Sequence, residues 1–224
     1  MEFLKSSVGR KILMAITGLM MLCFVIIHVL GNSSIYFGSL NAYAERLHAL
    51  PPLVWAFRLV LLTVFFAHVF FGIQLTLENN SAKPSAYAVK TSLRATFASK
   101  NMIWTGSLTA VFLIYHLLHF TLQVTNPAIS AGVGGNVDAL GRPDVFKMVV
   151  LSFKQVAIAT VYIIAMVALA LHLTHGVQSF FQTMGLNNER TIDIFEKVGT
   201  ISAVILFIGY ISIPIAVLVG ILKR

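Results

Sequence analysis

Five stretches of mostly apolar residues, separated by polar segments, dominate the hydropathy pattern of the 224-residue chain. Each stretch has about the 20 residues that an α-helix needs to cross the hydrocarbon core of a bilayer. None alternates apolar and polar residues as the strands of a membrane barrel do. The pattern therefore predicts an all-α integral membrane bundle, a single transmembrane domain over residues 1–224, with spans at about residues 12–30, 53–77, 102–124, 149–181 and 198–222.

The polar segments add smaller features to this picture. The segment after the first span predicts a short interfacial helix from Leu40 to Ala49, ended by Pro51 and Pro52. Lys154 falls in the first turns of the fourth stretch, where its long side chain can reach the headgroups. Pro214 predicts a kink in the fifth span.

Composition agrees with a membrane protein. Hydrophobic residues make up 58% of the chain and charged residues only 11%, whereas about a quarter of the residues in soluble domains are charged. The excess of 16 Lys and Arg over 8 Asp and Glu favours contacts with lipid headgroups, not with nucleic acid. A single cysteine, Cys23, lies within the first span, which excludes a disulfide framework and an iron–sulfur site.

The distribution of basic residues predicts a cytoplasmic N-terminus. With this orientation the inner segments carry nine of the 16 Lys and Arg residues. The bias is small overall, but the N-terminal segment and the basic loop 83–100 both favour it. This loop and the loop 186–197 are the expected docking sites for soluble partners, although attraction to lipid explains the same charges.

Six histidines lie inside four of the five apolar stretches: His28, His68, His116, His119, His172 and His175. Ionisable residues within a membrane span mark functional sites by default. A single intramembrane histidine can equally be a hydrogen-bonded core residue. The number and depth of these histidines distinguish the two interpretations.

Depth along the helices sorts the histidines into two levels. At a rise of about 1.5 Å per residue, His28 lies ~24 Å and His116 ~21 Å from the inner ends of their spans. His68 lies ~22 Å from the outer end of its span, and His172 is near the inner end of span four. An outer pair, His28 with His116, and an inner pair, His68 with His172, are therefore expected to face each other from neighbouring helices. Two opposed imidazoles are what a six-coordinate haem iron requires.

Spacing alone leaves two choices open. His119 and His175 each follow another histidine by three residues on the same helix face, so either member can be the ligand. Gly31, Gly72 and Gly176 follow histidines by three or four residues. They either make room for a flat macrocycle or mark close helix packing.

The chain resembles the cytochrome b membrane-anchor subunit of succinate dehydrogenases and fumarate reductases, of the type in which one five-span polypeptide holds two haems b. The resemblance covers nearly the whole chain. It rests on SSVGRKILMAITGL followed by His28, and on NAYAERLHALP, AHVFFGI, IYHLLHF and LHLTHGVQSFFQ.

The resemblance implies an electron-transfer and quinone-binding subunit of a respiratory oxidoreductase, in the bacterial cytoplasmic membrane. It implies that His28, His68, His116 and His172 are the haem iron ligands, leaving His119 and His175 as neighbouring or packing residues. A flavoprotein subunit and an iron–sulfur subunit are the implied partners on the cytoplasmic side, because this chain lacks the motifs for dicarboxylate chemistry. Menaquinone or another quinone is the implied substrate, and a dimer of the whole complex is a further expectation.

Two polar clusters are candidates for the remaining contacts. Glu45, Arg46 and His48 suit a quinone site, since a quinone needs hydrogen-bond donors and a proton-exchanging group; a solvated amphipathic helix explains them as well. Ser7 and Arg10, with Ser6, are candidates to contact haem propionates on the inner side. Arg58 and Arg142 are the outer candidates, and headgroup contacts are the alternative.

Two other functions fit the histidine pattern. One is a haem b subunit of another respiratory dehydrogenase, of the formate dehydrogenase or hydrogenase type. The other is a membrane transporter that couples protons through histidines. An absorption spectrum separates the cytochromes from the transporter, and the co-purifying partner separates the cytochromes from each other.

Overall fold

The computed structural model describes residues 6–82, 96–132 and 135–223. Helix α1 runs from Ser7 to Asn32, and the side chain of Ser6 caps it by accepting a hydrogen bond from the Gly9 amide. A 3₁₀ turn, Ser33–Phe37, connects it to the short helix α2, Leu40–His48. The predicted interfacial helix is therefore confirmed, one residue shorter than expected.

Six further helices follow in the described part of the chain. They are α3 (Pro51–Ser81), α4 (Phe97–Lys100), α5 (Met102–His116), α6 (Val145–Lys154), α7 (Val156–Thr183) and α8 (Ile192–Leu218). A π-helical turn, Leu117–Thr121, directly continues α5 beyond His116. Residues 83–95 of the predicted basic docking loop lie outside the described residues.

Within the described residues, five helices are long and apolar enough to cross a membrane: α1 with its 3₁₀ turn, α3, α5 with its π turn, α7 and α8. Large apolar side chains on them are exposed, such as Phe57 and Trp104, as expected where lipid replaces water. The all-α class with five membrane-length helices is confirmed. The cytoplasmic position of the N-terminus stays a prediction.

The fourth span differs from the prediction at its start. Instead of one helix from about residue 149, the chain forms α6 and then α7, separated by Gln155 in an extended conformation (φ −78°, ψ 104°). Helix α6 buries Val150 and Phe153, while its start is capped by Asp144. Lys154 thus ends a short helix next to the span and does not lie within the span. The fifth span also begins earlier than predicted, at Ile192.

The first four spans pack as a square, with α8 against α7 on the outside. The packed neighbours are α1 with α3, α3 with α5, α5 with α7, and α7 with α1. The diagonals of the square are therefore α1 to α5 and α3 to α7. A hydrophobic core lies at the end of the bundle remote from the N-terminus, where α6 packs on α7 and α8; it includes Ile35, Leu40, Val150, Phe153, Tyr162 and Val217.

Candidate metal-binding histidine pairs

The structure brings together the same two pairs of histidines that depth predicted. The ring centres of His28 and His116 are 5.9 Å apart, and those of His68 and His172 are 6.2 Å apart. Neither pair is stacked, because the ring planes meet at 87° and 69° respectively. Four side chains from four different spans therefore form two separate imidazole pairs.

Each pair joins helices that are diagonally opposed in the square, not neighbouring helices as the sequence suggested. His28 on α1 meets His116 on α5, and His68 on α3 meets His172 on α7. All four imidazoles therefore point into the interior of the bundle, which is where helix bundles build their cofactor and metal sites.

Threonine hydroxyls hold both imidazoles of the pair nearer the N-terminal end. Oγ1 of Thr17 lies 3.2 Å from Nδ1 of His68, and Oγ1 of Thr105 lies 3.3 Å from Nδ1 of His172. Each hydroxyl donates its only proton to carbonyls of its own helix; for Thr17 these are Leu13 and Met14. With the hydroxyl proton used in this way, the threonine oxygen accepts from an imidazole that carries its proton on Nδ1.

This direction of donation corresponds to one tautomer of each ring, with the proton on Nδ1. A histidine that donates through Nδ1–H keeps the lone pair on Nε2, which is the arrangement of a metal-bound histidine with an outer hydrogen-bond partner. In this tautomer both rings of the His68–His172 pair keep a lone pair on Nε2.

The other pair has a different environment. Nδ1 of His116 lies 3.4 Å from the hydroxyl of Tyr162, which is long for a hydrogen bond. The ring of His28 stacks on Phe24 with centres 5.3 Å apart, and the ring of Tyr210 is 6.2 Å away. Aromatic rings thus surround the His28–His116 pair.

His119 uses both of its ring nitrogens within the protein. Nδ1 lies 2.9 Å from the Tyr162 hydroxyl and Nε2 lies 3.1 Å from Oγ of Ser152. The side chain is only 3% exposed. Because neither nitrogen is left for a metal in this arrangement, the geometry favours His116 over His119 as the ligand on α5.

His175 presents a different situation on α7. Its Nδ1 is buried with no hydrogen-bond partner within the described part of the chain. The ring does have a side-chain hydrogen bond with Gln178. The choice between His172 and His175 rests on the opposed ring of His68 and on the hydroxyl of Thr105, both of which engage His172.

The donor set of each pair fits a haem better than a bare ion. A structural zinc ion takes four protein ligands, and each pair supplies two nitrogens. Two imidazoles bound on opposite sides of one metal, at about 2 Å each, place their ring centres roughly 6 Å apart, close to both observed separations. Within residues 6–82, 96–132 and 135–223, no group of three or more His, Cys, Asp or Glu side chains is placed to hold a metal ion.

The three glycines that follow histidines have different surroundings. A Cβ at Gly31 would collide with the Tyr43 ring, and one at Gly72 would lie 3.2 Å from Cε of Met14. A Cβ at Gly176 would meet no atom within 4 Å. Gly31 therefore serves close packing of α2 on the end of α1, whereas the space beside Gly176 is open.

The predicted quinone residues lie at the end of the bundle that contains His28. Glu45, Arg46 and His48 are all exposed on α2. Nδ1 of His48 lies 2.8 Å from the Ala44 carbonyl oxygen, and its Nε2 lies 3.5 Å from Nη2 of Arg58, which sits over the Trp55 ring.

An ion-pair network ties the loop before α6 to this helix. Arg142 lies 2.7 Å from Oδ2 of Asp138 and 3.7 Å from Oε2 of Glu45. Hydrogen bonds from Arg142 hold the pKa of the Asp138 carboxyl well below its ordinary range. Asn41 on α2 donates to Asp138 and Asp144, and a cavity of about 300 Å³ opens beside these residues.

At the opposite end of the bundle, Nη2 of Arg10 donates to Oε2 of Glu78 over 2.8 Å, which joins the start of α1 to the end of α3. Ser7 is exposed. Contacts of Ser7 and Arg10 with haem propionates stay a prediction.

Sequence reasoning missed Thr17, Thr105 and Tyr162. A signal for the threonines was present, because Thr17-Gly18 precedes His28 by the same eleven residues that separate Thr105-Gly106 from His116. Eleven residues are about three helical turns, so threonine and histidine share a helix face about 16 Å apart. Each of these two helices thus carries a histidine of one pair and a threonine hydroxyl that contacts the other pair. No comparable signal marked Tyr162.

Comparison of the chain with protein-family models, with curated proteins and with solved structures gives no match.

Proposed function

We propose that this chain is a dihaem cytochrome b, the membrane-anchor subunit of a succinate dehydrogenase or fumarate reductase. It carries electrons between an iron–sulfur subunit and membrane quinone. The observation that carries the proposal is the pair of diagonal histidine contacts, with ring centres 5.9 and 6.2 Å apart, at two levels of one four-helix square.

In this function, each histidine pair holds one haem b. His28 and His116 hold one, and His68 and His172 hold the other. When bound, the two haems supply one-electron transfer along the bundle. The chain's own hydroxyls orient the ligands: Thr17 and Thr105 accept from the Nδ1 atoms of His68 and His172, which directs Nε2 to the metal.

The proposed quinone site is assigned to α2 and the residues around it. Gly31 lies three residues beyond His28 and contacts Tyr43 of α2, so this helix adjoins the His28–His116 level. Glu45 and His48 supply groups that exchange protons, and Arg46 supplies donors for a quinone carbonyl. Menaquinone or another membrane quinone is the proposed substrate.

The soluble partners are assigned to the N-terminal end, next to the His68–His172 level. A flavoprotein subunit and an iron–sulfur subunit are the proposed partners there, on the cytoplasmic face of a bacterial membrane. The basic segment 83–100, which carries four Lys and Arg residues and no Asp or Glu, supports this side. Dicarboxylate chemistry belongs to those partners.

The test is haem content per chain in the purified protein. Two haems b per polypeptide with low-spin reduced bands are expected. His48→Gln is the matched control, since this exposed histidine is not in either pair and its variant should keep two haems. Absence of haem would reject the cytochrome and favour a transporter, and one haem per chain would reject the two-level arrangement.

The partner is tested separately by affinity purification from mild detergent. Co-purification with a flavoprotein and an iron–sulfur subunit, and succinate:quinone activity of the complex, are expected. Co-purification with a formate dehydrogenase or hydrogenase instead would assign the cytochrome to that class of respiratory complex.

A further inference from the structure

Tyr162 lies at the junction of two histidines on α5 and its π-helical turn. Its hydroxyl is 2.9 Å from Nδ1 of His119 and 3.4 Å from Nδ1 of His116. The ring of Tyr162 packs edge-on against Phe112, Phe120 and Phe153, so the hydroxyl is held in place by its own aromatic surroundings. The side chain is 7% exposed.

The hydrogen bonds at this junction have one consistent direction once His116 coordinates through Nε2. Nδ1 of His116 then carries a proton and can only donate, so the Tyr162 oxygen accepts from it. The single Tyr162 proton goes to Nδ1 of His119, and His119 donates through Nε2 to Oγ of Ser152, 3.1 Å away. The result is a series of hydrogen bonds in which each residue donates to the next, from His116 through Tyr162 and His119 to Ser152.

We infer that Tyr162, aligned by His119 and Ser152, is a positioning residue that sets the reduction potential of the haem held by His28 and His116. This inference rests on the proposed binding of haem by the two pairs. The observation behind it is that the Nδ1 partner of His116 is a phenol that also contacts a second histidine, His119. The partners of His68 and His172 are threonines that also bond nearby backbone carbonyls.

The physical effect follows from the acceptor strength of the Tyr162 oxygen. A hydrogen bond from Nδ1–H raises the basicity of the imidazole and so stabilises the more highly charged, oxidised metal. A phenol that itself donates to His119 is a better acceptor than an isolated one, because hydrogen bonds in a chain polarise one another. Loss of the hydroxyl therefore raises the midpoint potential of this haem.

The experiment is a redox titration of the purified protein with Tyr162→Phe. We expect two haems per chain, an upward shift of one midpoint potential and no shift of the other. The electron paramagnetic resonance signal of the shifted haem should change as well, because the plane of His116 loses its anchor. If both haems are bound and neither potential moves, the inference is wrong and the proposed function stands. If the unsubstituted protein binds no haem, the proposed function itself fails.

Two variants of His119 separate positioning from simple packing. His119→Gln keeps an acceptor for Tyr162 and a donor for Ser152 on one side chain, so its potentials should match the unsubstituted protein. His119→Leu keeps the bulk without these groups, and the same haem should shift upward as in Tyr162→Phe. Equal shifts in the two variants would mean that packing alone sets the potential, and the inference would be overturned.

Discussion

The hydroxyl oxygen of Thr105 lies 3.3 Å from Nδ1 of His172. The contact between Thr17 and His68 repeats it at 3.2 Å on the other side of the bundle. In both cases the residue after the threonine is a glycine whose Cβ would approach Cε1 of the same imidazole, at 3.2 Å for Gly18 and 3.0 Å for Gly106. A Thr-Gly step thus positions each ring by a hydrogen bond and by close contact.

Replacing Thr105 by valine should raise the midpoint potential of the haem proposed at the His68–His172 level and leave both proposed haems bound. Valine keeps the shape of threonine but removes the acceptor for Nδ1–H of His172. A redox titration measures the shift. Thr109→Val is the control, because the Thr109 hydroxyl bonds the Thr105 carbonyl one turn away. Equal shifts in the two variants would argue against the hydroxyl contact.

Replacing His116 by alanine should reduce the haem content from two per chain to one, whereas His119→Ala should retain both. The reason is that His119 already uses both ring nitrogens, on Tyr162 and Ser152. Haem quantification against protein concentration makes the measurement. Loss of a haem in His119→Ala alone would reverse the ligand assignment on this helix.

The same His119→Ala variant should be less stable to heat. It removes a side chain that is 3% exposed and leaves the buried hydroxyl of Ser152 without its imidazole partner. An unsatisfied buried polar group costs about 1–3 kcal/mol. Thermal unfolding in detergent should show a lower midpoint than for His119→Gln, which can retain both hydrogen bonds. Equal midpoints would contradict the prediction.

Replacing Gly199 by alanine should destabilise the packing of α7 on α8. A Cβ at this position would lie 2.6 Å from the carbonyl oxygen of Thr174, a backbone atom that cannot rotate away. Overpacking of this kind costs about 1–3 kcal/mol. Thermal unfolding is the measurement, with Ile201→Val on the exposed side of the same helix as control. An unchanged midpoint for Gly199→Ala would contradict the close approach.

The loop before α6 should lose protection from hydrogen exchange at low pH. Arg142 lowers the pKa of Asp138 in the folded protein, so the stabilisation is present above the ordinary value of about 3.9 and is lost as the pH falls further. The amides of Leu140 and Arg142 report this directly, since both donate to Oδ1 of Asp138. Asp138→Asn should remove the pH dependence of their protection factors; a persisting dependence would point to another group.

The spans and the histidine pairs can be predicted from the sequence because both follow from the regular geometry of the α-helix. Apolar length defines a membrane helix, and a rise of about 1.5 Å per residue converts position into depth. Depth alone places His28 level with His116. Depth does not show which helices are neighbours in the bundle. The expectation that each pair joins neighbouring helices was therefore wrong, because each pair lies across a diagonal of the square.

The break at Gln155 and the role of Tyr162 could not be read from the pattern. Residues 149–181 are apolar enough for one helix, and the break depends on tertiary contacts of α6, such as buried Val150 and the bond from Ser152 to His119. Tyr162 is one of six tyrosines, and its importance depends on meeting two histidines of another helix. Such contacts between distant segments leave no periodic trace in the sequence.

The separation of α6 from α7 lets one short helix contact both the surface helix α2 and the bundle interior. Because the chain is extended at Gln155, α6 is a separate short helix whose two ends contact different parts of the protein. Asn41 on α2 binds the start of α6 by accepting a hydrogen bond from the Phe146 amide and donating one to Asp144. Near the other end of α6, Ser152 is hydrogen-bonded to His119 in the bundle interior. Helix α6 thus connects the surface helix that carries Glu45 to the hydrogen bonds beside His116.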